Sequence, residues 1–231
     1  MENEIAATDQ DDNPSMDVFK IPSTCPSCQE VTNTNICQID IPHFKQVLLM
    51  TLTCDCGYRS TETKPVGDIA SHGTKTTLQI QSKEDLNREV VWSDTAGVAI
   101  PEIELQVEQG MDGGVYTTVE GLIQRLLRQL TVSNPFLEGE EGSSNPMMGK
   151  YQDVLTKLED IGNGSALPAT LIIDDPLSNS FIGPRPIGNG EIANLGEQGH
   201  NDNQLETEVY ERSFSQNEAL GLNQLDADDA C

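Results

Sequence analysis

Six cysteines are the residues in this sequence whose type and spacing most clearly predict chemistry. Cys25 and Cys28 form a C-x2-C pair. After 25 intervening residues, Cys54 and Cys56 form a C-x-C pair followed by Gly57. Thiolates spaced in this way are typical of structural zinc, which binds four sulfur or imidazole ligands in a tetrahedron. The two pairs therefore predict one structural zinc ion, with no open position for a catalytic water.

The second pair is one residue shorter than the usual zinc knuckle, so alternatives to its ligands stay open. Cys54 is the expected fourth ligand, and Cys37 or His43 would replace it if the short loop does not chelate. Cys37 is otherwise expected to be a small buried hydrophobic residue, and Cys231 an exposed bystander. The competing interpretation is that the two pairs are free thiols or the remains of a degraded metal site. Because structural zinc contributes roughly 10–16 kcal/mol of apparent binding free energy, residues 21–64 are expected to unfold without it.

The other residues with catalytic potential form no recognisable site. His43, His72 and His200 are dispersed, and no GxSxG, Walker or Rossmann motif is present. Asp174 and Asp175 are adjacent and would face opposite sides of a strand, which predicts a turn or cap instead of a catalytic pair. The sequence therefore disfavours an enzyme.

The charge of the chain is strongly acidic and unevenly distributed. Its 231 residues include 38 Asp+Glu and 13 Lys+Arg, a formal net charge of -25. Residues 21–64 carry four acids and three bases, whereas residues 138–231 carry eighteen acids and four bases. This excess disfavours nucleic acid and suits a basic protein partner, with solubility alone as the alternative role. No stretch reaches the ~20 apolar residues of a membrane span, and no signal peptide is recognisable, so no membrane association is expected.

The hydrophobic pattern changes from strands to helices and back. Strands are predicted at 44–54, 74–80 and 170–176, and the alternating residues at 103–107 are a possible partner for 74–80. Two amphipathic helices form a predicted hairpin over about 117–161, beginning at a capping box of Thr117 and Glu120.

These elements predict an α+β chain with a small four-cysteine zinc finger at 21–64 and a β-rich domain at 65–182. A disordered acidic tail is expected at 1–20. Residues 183–207 are rich in Gly, Asn and Pro, which predicts a flexible loop or linker. A C-terminal segment of the β-rich domain follows at 208–225, and an acidic tail at 226–231.

Nine motifs in one order give the chain a resemblance to the ZPR1 (ZPR-one) zinc-finger protein family. They extend from residue 25 to residue 222: CPSC, IPHFKQVLLM, CGYRSTETK, GTKTTLQI, IPEIELQV, GGVYTTVEGLI, NPF, IIDDPLSNSF and YERSFSQNEALGL. The resemblance implies a zinc ribbon followed by a domain like a double-stranded β-helix with an inserted helical hairpin. Family members carry two tandem copies, and this chain resembles a single copy, most like the second. It departs from the family at Cys54-Asp55-Cys56, where members carry C-x2-C. It also departs at residues 183–207, which replace a shorter Asp/Pro-rich stretch.

The resemblance also implies a function. Members associate with translation elongation factor one-alpha in the cytoplasm and nucleus and assist its folding, and binding to the cytoplasmic region of a receptor tyrosine kinase links them to growth-factor signalling. One alternative is a zinc ribbon acting in transcription or RNA binding, for which the finger offers only Lys45, Arg59 and Lys64. Another is a cupin-like metalloenzyme, for which the sequence lacks a histidine pair.

Overall fold

A computed structural model describes residues 18–41, 44–109, 114–132, 146–187, 191–192 and 202–223 of the chain. The first sheet is an antiparallel meander in the order β1–β2–β3–β4, and we call it the finger sheet. Its strands are β1 (Val18–Thr24), β2 (Val31–Asp40), β3 (Gln46–Thr53) and β4 (Arg59–Pro65). The strand predicted at 44–54 is thus present as β3, and β1 begins before the predicted start of the finger at residue 21.

Strand β1 lies at the edge of the finger sheet and carries exposed apolar side chains. Phe19 is 67% exposed and Ile21 is 50% exposed. The N–H of Cys25 donates to the carbonyl of Glu30 at 2.9 Å, which continues the β1–β2 ladder by one step. Since donors alternate along an antiparallel strand, the nitrogen of Pro22 faces the open edge, where no N–H is needed by β2.

The β-rich domain contains a five-stranded sheet and a three-stranded sheet. The order of the first is β14–β5–β10–β7–β8, and that of the second is β11–β6–β9. Its strands are β5 (Gly73–Ile80), β6 (Glu89–Trp92), β7 (Gly97–Ile100), β8 (Leu105–Val107), β9 (Val115–Thr118), β10 (Ala169–Asp175), β11 (Phe181–Ile182) and β14 (Leu205–Tyr210). Two short strands, β12 (Pro186–Ile187) and β13 (Glu191–Ile192), pair with each other.

The core of this domain follows the period-two alternation of the five-stranded sheet. Leu78 and Ile80 on β5, and Leu171 and Ile173 on β10, are buried on the inner face. The partner predicted for β5 was wrong, because β5 pairs with β10 and β14. Residues 105–107 pair instead with β7, and Ile103 lies in a 3-10 helix. Alternation fixes which face of a strand is buried but does not select the neighbouring strand.

Two helices form the predicted hairpin: α1 (Val119–Val132) and α2 (Pro146–Gly162). Leu122, Ile123 and Leu126 on α1 are fully buried, as are Leu158 and, nearly, Ile161 on α2. These residues join the core of the β-rich domain. None of the helices that the structure describes is both long and apolar enough to span a membrane.

The cap of α1 differs from the predicted capping box. Thr117 lies in β9, and the helix begins only at Val119. The hydroxyl of Thr118 accepts from the N–H of Gly121 at 3.1 Å, so the cap is one residue later than predicted. Strand pairing of Thr117 with Val90 extends β9 past the position at which the sequence motif predicts the helix start.

A buried ionic cluster joins the 3-10 helix Lys83–Asn87 to the segment before β14. Arg88 is fully buried and its Nε donates to Oδ1 of Asp85 at 3.0 Å. Its Nη2 donates to Oδ1 of Asp202 at 3.2 Å and to Gln204 at 3.3 Å. The loop predicted at 183–207 is incorrect for residues 205–207, which begin β14, and for residues 186–187 and 191–192, which form β12 and β13. Asp202 and Gln204, which make these contacts, lie in the turn before β14. Residues 188–190 and 193–201 lie outside the described residues.

The finger sheet packs against the β-rich domain. Val47 and Ile41 are buried against Val91. The rings of Phe44 and Phe181 stack with centroids 5.1 Å apart. Polar contacts join the same two units: Lys64 Nζ to Asp94 Oδ2 at 2.5 Å, and Lys45 Nζ to Asn179 Oδ1 at 2.8 Å.

Candidate metal centre

The turn between β1 and β2 carries the first cysteine pair. After β1 ends at Thr24, the N–H of Gln29 donates to the carbonyl of Cys25 at 2.9 Å. Gln29 adopts a left-handed backbone conformation with φ 64°, which returns the chain towards β2. Cys25 and Cys28 are thereby placed at one end of the finger sheet.

The turn between β3 and β4 carries the second pair, directly beside the first. The N–H of Gly57 donates to the carbonyl of Cys54 at 3.0 Å, and the N–H of Cys54 donates to the carbonyl of Tyr58 at 2.9 Å. Gly57 has φ +93°, a conformation that favours glycine. The shortened C-x-C loop therefore still closes into a tight turn.

The four predicted cysteine ligands come together in the structure. Their sulfur atoms all lie within 4.8 Å of one another. The Sγ atoms of Cys25 and Cys56 are 3.7 Å apart, and those of Cys28 and Cys54 are 3.5 Å apart. Four sulfurs at ~2.3 Å from a tetrahedral zinc ion would be about 3.8 Å apart, so the donor set fits one zinc ion in both chemistry and spacing.

The closest sulfur atoms belong to different turns, so a zinc ion would join the two turns. The two short sulfur–sulfur distances connect a cysteine of the β1–β2 turn with a cysteine of the β3–β4 turn. A bound ion would therefore cross-link β1 and β2 to β3 and β4 at this end of the sheet. With four thiolate ligands it would have no position for a reactive water, which is typical of structural zinc.

The thiols differ in how readily they ionise. A backbone hydrogen bond from Cys28 outweighs burial and lowers the pKa of Cys25 to about 7. The pKa of Cys28 is raised to about 12: a backbone hydrogen bond from Glu30 opposes the rise, and the neighbouring Cys54 thiol and burial cause it. One negative charge is thus favourable in the cluster, and a second is disfavoured without a cation. A zinc ion supplies that positive charge.

The surroundings of the cluster are apolar on one side. Cys25 and Cys54 are buried with Leu52, and Tyr58 packs against them. Leu52 and Tyr58 were not anticipated from the sequence, although their places next to the cysteine turns could have indicated them. Gln29 carried no such signal, because glutamine does not ordinarily mark a left-handed turn.

The alternative ligands fall outside this cluster or outside the described residues. Cys37 lies in the middle of β2 and is half-buried, with its Sγ 3.9 Å from the carbonyl oxygen of Leu49. His43 and Cys231 lie outside the described residues. Among the residues that the structure describes, the four predicted cysteines are the group positioned to hold a metal ion.

The adjacent acids Asp174 and Asp175 occupy opposite faces of β10, as their alternation predicted. Asp175 is buried, and its carboxylate accepts from the N–H of Leu177 at 2.9 Å and the hydroxyl of Ser180 at 2.6 Å. Asp174 is exposed and accepts from the hydroxyl of Tyr210 at 2.6 Å. The buried acid therefore caps the turn after β10.

Two family models match the chain. Residues 17–71 match the ZPR1 zinc-finger domain, and residues 84–222 match the ZPR1 jelly-roll domain. The predicted fold class, a four-cysteine zinc ribbon followed by a β-rich domain, is confirmed by these matches, as is the family resemblance drawn from the motifs. The finger match includes all four cysteines of the cluster.

Curated relatives match nearly the whole chain. The "Zinc finger chaperone zpr1" of Schizosaccharomyces pombe is 36% identical over 230 residues, 97% of this chain and 46% of the relative. The "Zinc finger protein ZPR1" of Homo sapiens is 36% identical over 211 residues, 90% of this chain and 43% of the relative. An uncharacterized ZPR1-like protein of Methanocaldococcus jannaschii is 33% identical over 147 residues. The chain thus spans slightly under half the length of the eukaryotic relatives.

Proposed function

The chain belongs to the ZPR1 zinc-finger family, and on that premise we propose that it is a zinc-dependent protein-interaction module that binds translation elongation factor one-alpha and assists its folding. The observation that carries the proposal is the four-cysteine cluster at the end of a sheet docked on a jelly-roll domain. A relative that matches 97% of this chain, and so spans both of its domains, is named a zinc finger chaperone. This role requires no covalent chemistry.

Cys25, Cys28, Cys54 and Cys56 are the proposed zinc ligands, and their role is structural. Zinc would fix both cysteine turns and, through β3 and β4, the surface of the finger sheet. A client that contacts the finger would then bind only the zinc-loaded chain.

The charge of the chain supports a basic client. The formal net charge of -25 attracts a basic protein at long range and disfavours acidic competitors. Binding should therefore weaken as salt rises, because mobile ions screen the attraction between exposed charges.

The test is capture of purified elongation factor one-alpha by the zinc-loaded chain over a series of salt concentrations. We expect capture at low salt, weaker capture at high salt, and loss of capture by a Cys25→Ser, Cys28→Ser variant. A Cys37→Ser variant is the matched control, since Cys37 is outside the cluster. Failure of the zinc-loaded chain to capture the factor at low salt would refute the proposal.

Two further parts of the proposal come from the family. We propose that the chain acts in both cytoplasm and nucleus, and imaging of a fluorescent fusion would test this. We also propose binding to the cytoplasmic region of a receptor tyrosine kinase, for which capture of the purified kinase region is the test. Confinement of the fusion to another compartment, or no capture of the kinase, would reject the respective part.

A further inference from the structure

The outer face of the five-stranded sheet is largely open in the described part of the chain, with Gln216 of the helix Phe214–Ala219 at its rim. Every side chain directed outward from its central strands is half-buried or exposed, while the alternate residues other than Thr74 are buried. Helices α1 and α2 pack elsewhere, on each other, on the 3-10 helices and on β6 and β9. The sheet therefore presents one side to solvent.

A groove crosses this outer face. Its cavity volume is about 390 Å³, and its floor is formed by the small residues Gly97 and Ala99 together with Ile172. Lys75 and Asp174 line one side, and Glu108 on the far side follows β8. We call this feature the sheet groove. Gly97 and Ala99 present almost no side chain, so an extended chain could approach the backbone closely at that part of the floor.

Acidic side chains dominate the surroundings of the sheet groove. Asp174 and Glu108 line it, and Glu206 and Glu208 continue the same outer face on β14. In the described part of the chain, neither Glu108, Glu206 nor Glu208 takes part in an ion pair. Among the described residues that line the groove, Lys75 is the sole basic one. Lys75 lies opposite both Asp174 and Glu208 in the strand register, so the four acids named here outnumber it and leave the face with an excess of negative charge.

The carboxylate of Asp174 is held in a fixed position at the groove wall. The hydroxyl of Tyr210 donates to its Oδ1 at 2.6 Å, and the Tyr210 ring lies over Gly73 on the neighbouring strand. A carboxylate that is already oriented loses less side-chain entropy when a cation binds it.

We infer that the sheet groove binds a basic, extended segment of a protein partner, with small or apolar side chains on Gly97, Ala99 and Ile172 and Lys or Arg side chains on the acidic walls. Charge complementarity selects this occupant over an acidic or neutral segment. The inference rests on the proposed function, because the partner is the client named above, and it assigns the client a surface on the β-rich domain in addition to the finger.

The test uses the zinc-loaded full chain and two labelled peptides, one alternating Lys and Val and one alternating Glu and Val. Binding is followed by fluorescence anisotropy at low and high salt. A Glu108→Gln, Glu208→Gln variant removes two charges from the outer face. The control variant, Glu120→Gln with Glu159→Gln, removes two exposed charges from α1 and α2, so the two variants have equal net charge.

We expect the Lys peptide to bind and the Glu peptide not to bind. In the Glu108→Gln, Glu208→Gln variant (the groove variant) the Kd of the Lys peptide should rise roughly three- to tenfold, because two exposed charge pairs are lost. The control variant should bind like the unmodified chain. Equal weakening in both variants would show attraction by net charge alone and overturn the inference, as would an absence of Lys-peptide binding at low salt.

Repeating the comparison with elongation factor one-alpha separates the two proposals. Capture weakened only in the groove variant supports both. Capture that is equal in all variants overturns the groove as a client site and leaves the proposed function intact. Peptide binding at the groove without any capture of the factor supports the groove chemistry and refutes the proposed client.

Discussion

The α-carbon of Gly114 lies directly against the backbone of Thr63: a β-carbon on Gly114 would be 2.3 Å from the carbonyl oxygen of Thr63. The N–H of Thr63 also donates to the carbonyl of Gly114 at 2.8 Å. Thr63 belongs to β4 of the finger sheet, and Gly114 precedes β9 of the β-rich domain. The two domains are therefore joined by a backbone contact at which no side chain fits.

A Gly114→Ala change should loosen the finger from the β-rich domain. The added methyl group meets backbone that cannot rotate away, so we expect a loss of about 1–3 kcal/mol in the free energy of unfolding. Guanidinium denaturation measures the loss, and limited proteolysis between β4 and β5 should become faster. Gly149→Ala is the control, because a β-carbon there meets nothing within 4 Å. Equal stability of the two variants would contradict this account.

The purified protein should contain one zinc ion per chain, as measured by inductively coupled plasma mass spectrometry. Cys25→Ser and Cys54→Ser should each reduce zinc to well below one ion per chain, since a three-thiolate set is incomplete. Cys37→Ser should retain one ion, because its sulfur lies outside the cluster. If Cys54→Ser kept full zinc while Cys37→Ser lost it, the ligand set would be wrong.

Replacing Arg88 by Met should strongly destabilise the β-rich domain. The change leaves the buried carboxylate of Asp85 with only the more distant Arg185 Nε at 3.8 Å and removes the Arg88 partner of the partly buried Asp202, at a cost of about 3–5 kcal/mol. Fluorescence of Trp92, the only tryptophan in the sequence and 1% exposed in this domain, reports the transition. Lys157→Met, at a side chain on α2 that is 50% exposed and forms an ion pair only with Asp153 among the described residues, should cost less than ~1 kcal/mol. Similar losses in both variants would argue against the ionic cluster.

Acid should weaken the same cluster. Burial would raise the pKa of Asp85, but hydrogen bonds from Gln204 and Arg88 outweigh it and the pKa is lowered. The pKa of Asp202 is lowered in the same way by Arg88, against the effect of burial. Groups with a lowered folded pKa contribute stability above their unfolded pKa of ~3.9 and lose it as pH falls further.

The free energy of unfolding, followed at Trp92, should therefore decrease as pH falls below about 4. An Asp85→Asn, Asp202→Asn variant should show a shallower decrease. Because Trp92 lies in the β-rich domain, its signal separates this effect from acid release of zinc by the finger. An unchanged slope in the variant would exclude the cluster as the source.

Local patterns predicted the parts of this fold that depend on neighbouring residues. The spacing of Cys25, Cys28, Cys54 and Cys56 indicated the cluster, because each tight turn presents two sulfur atoms and this does not depend on the rest of the fold. Alternation in β5 and the apolar stripe of α1 indicated the buried faces for the same reason. Each signal is contained in a short window of the sequence.

The remaining features depend on contacts between distant residues. Arg88 lies in a polar stretch that resembles an exposed segment, and it is buried only because Asp202 and Gln204 pack on it from more than a hundred positions away. Those two residues lie in a Gly- and Asn-rich stretch in which apolar residues do not recur at the spacing of a helix or a strand, which is why a loop was predicted there. The choice of β10 and β14 as partners of β5 is likewise a long-range pairing that no local pattern specifies.

Pro22 has a consequence for the finger at high protein concentration. An exposed edge strand with Phe19 and Ile21 on it would ordinarily invite strand-to-strand aggregation. With the nitrogen of Pro22 and the side chain of Lys20 in the middle of that edge, an incoming strand loses a hydrogen bond and meets a charge. The finger can therefore keep apolar side chains accessible without its sheet acting as a template for fibril growth.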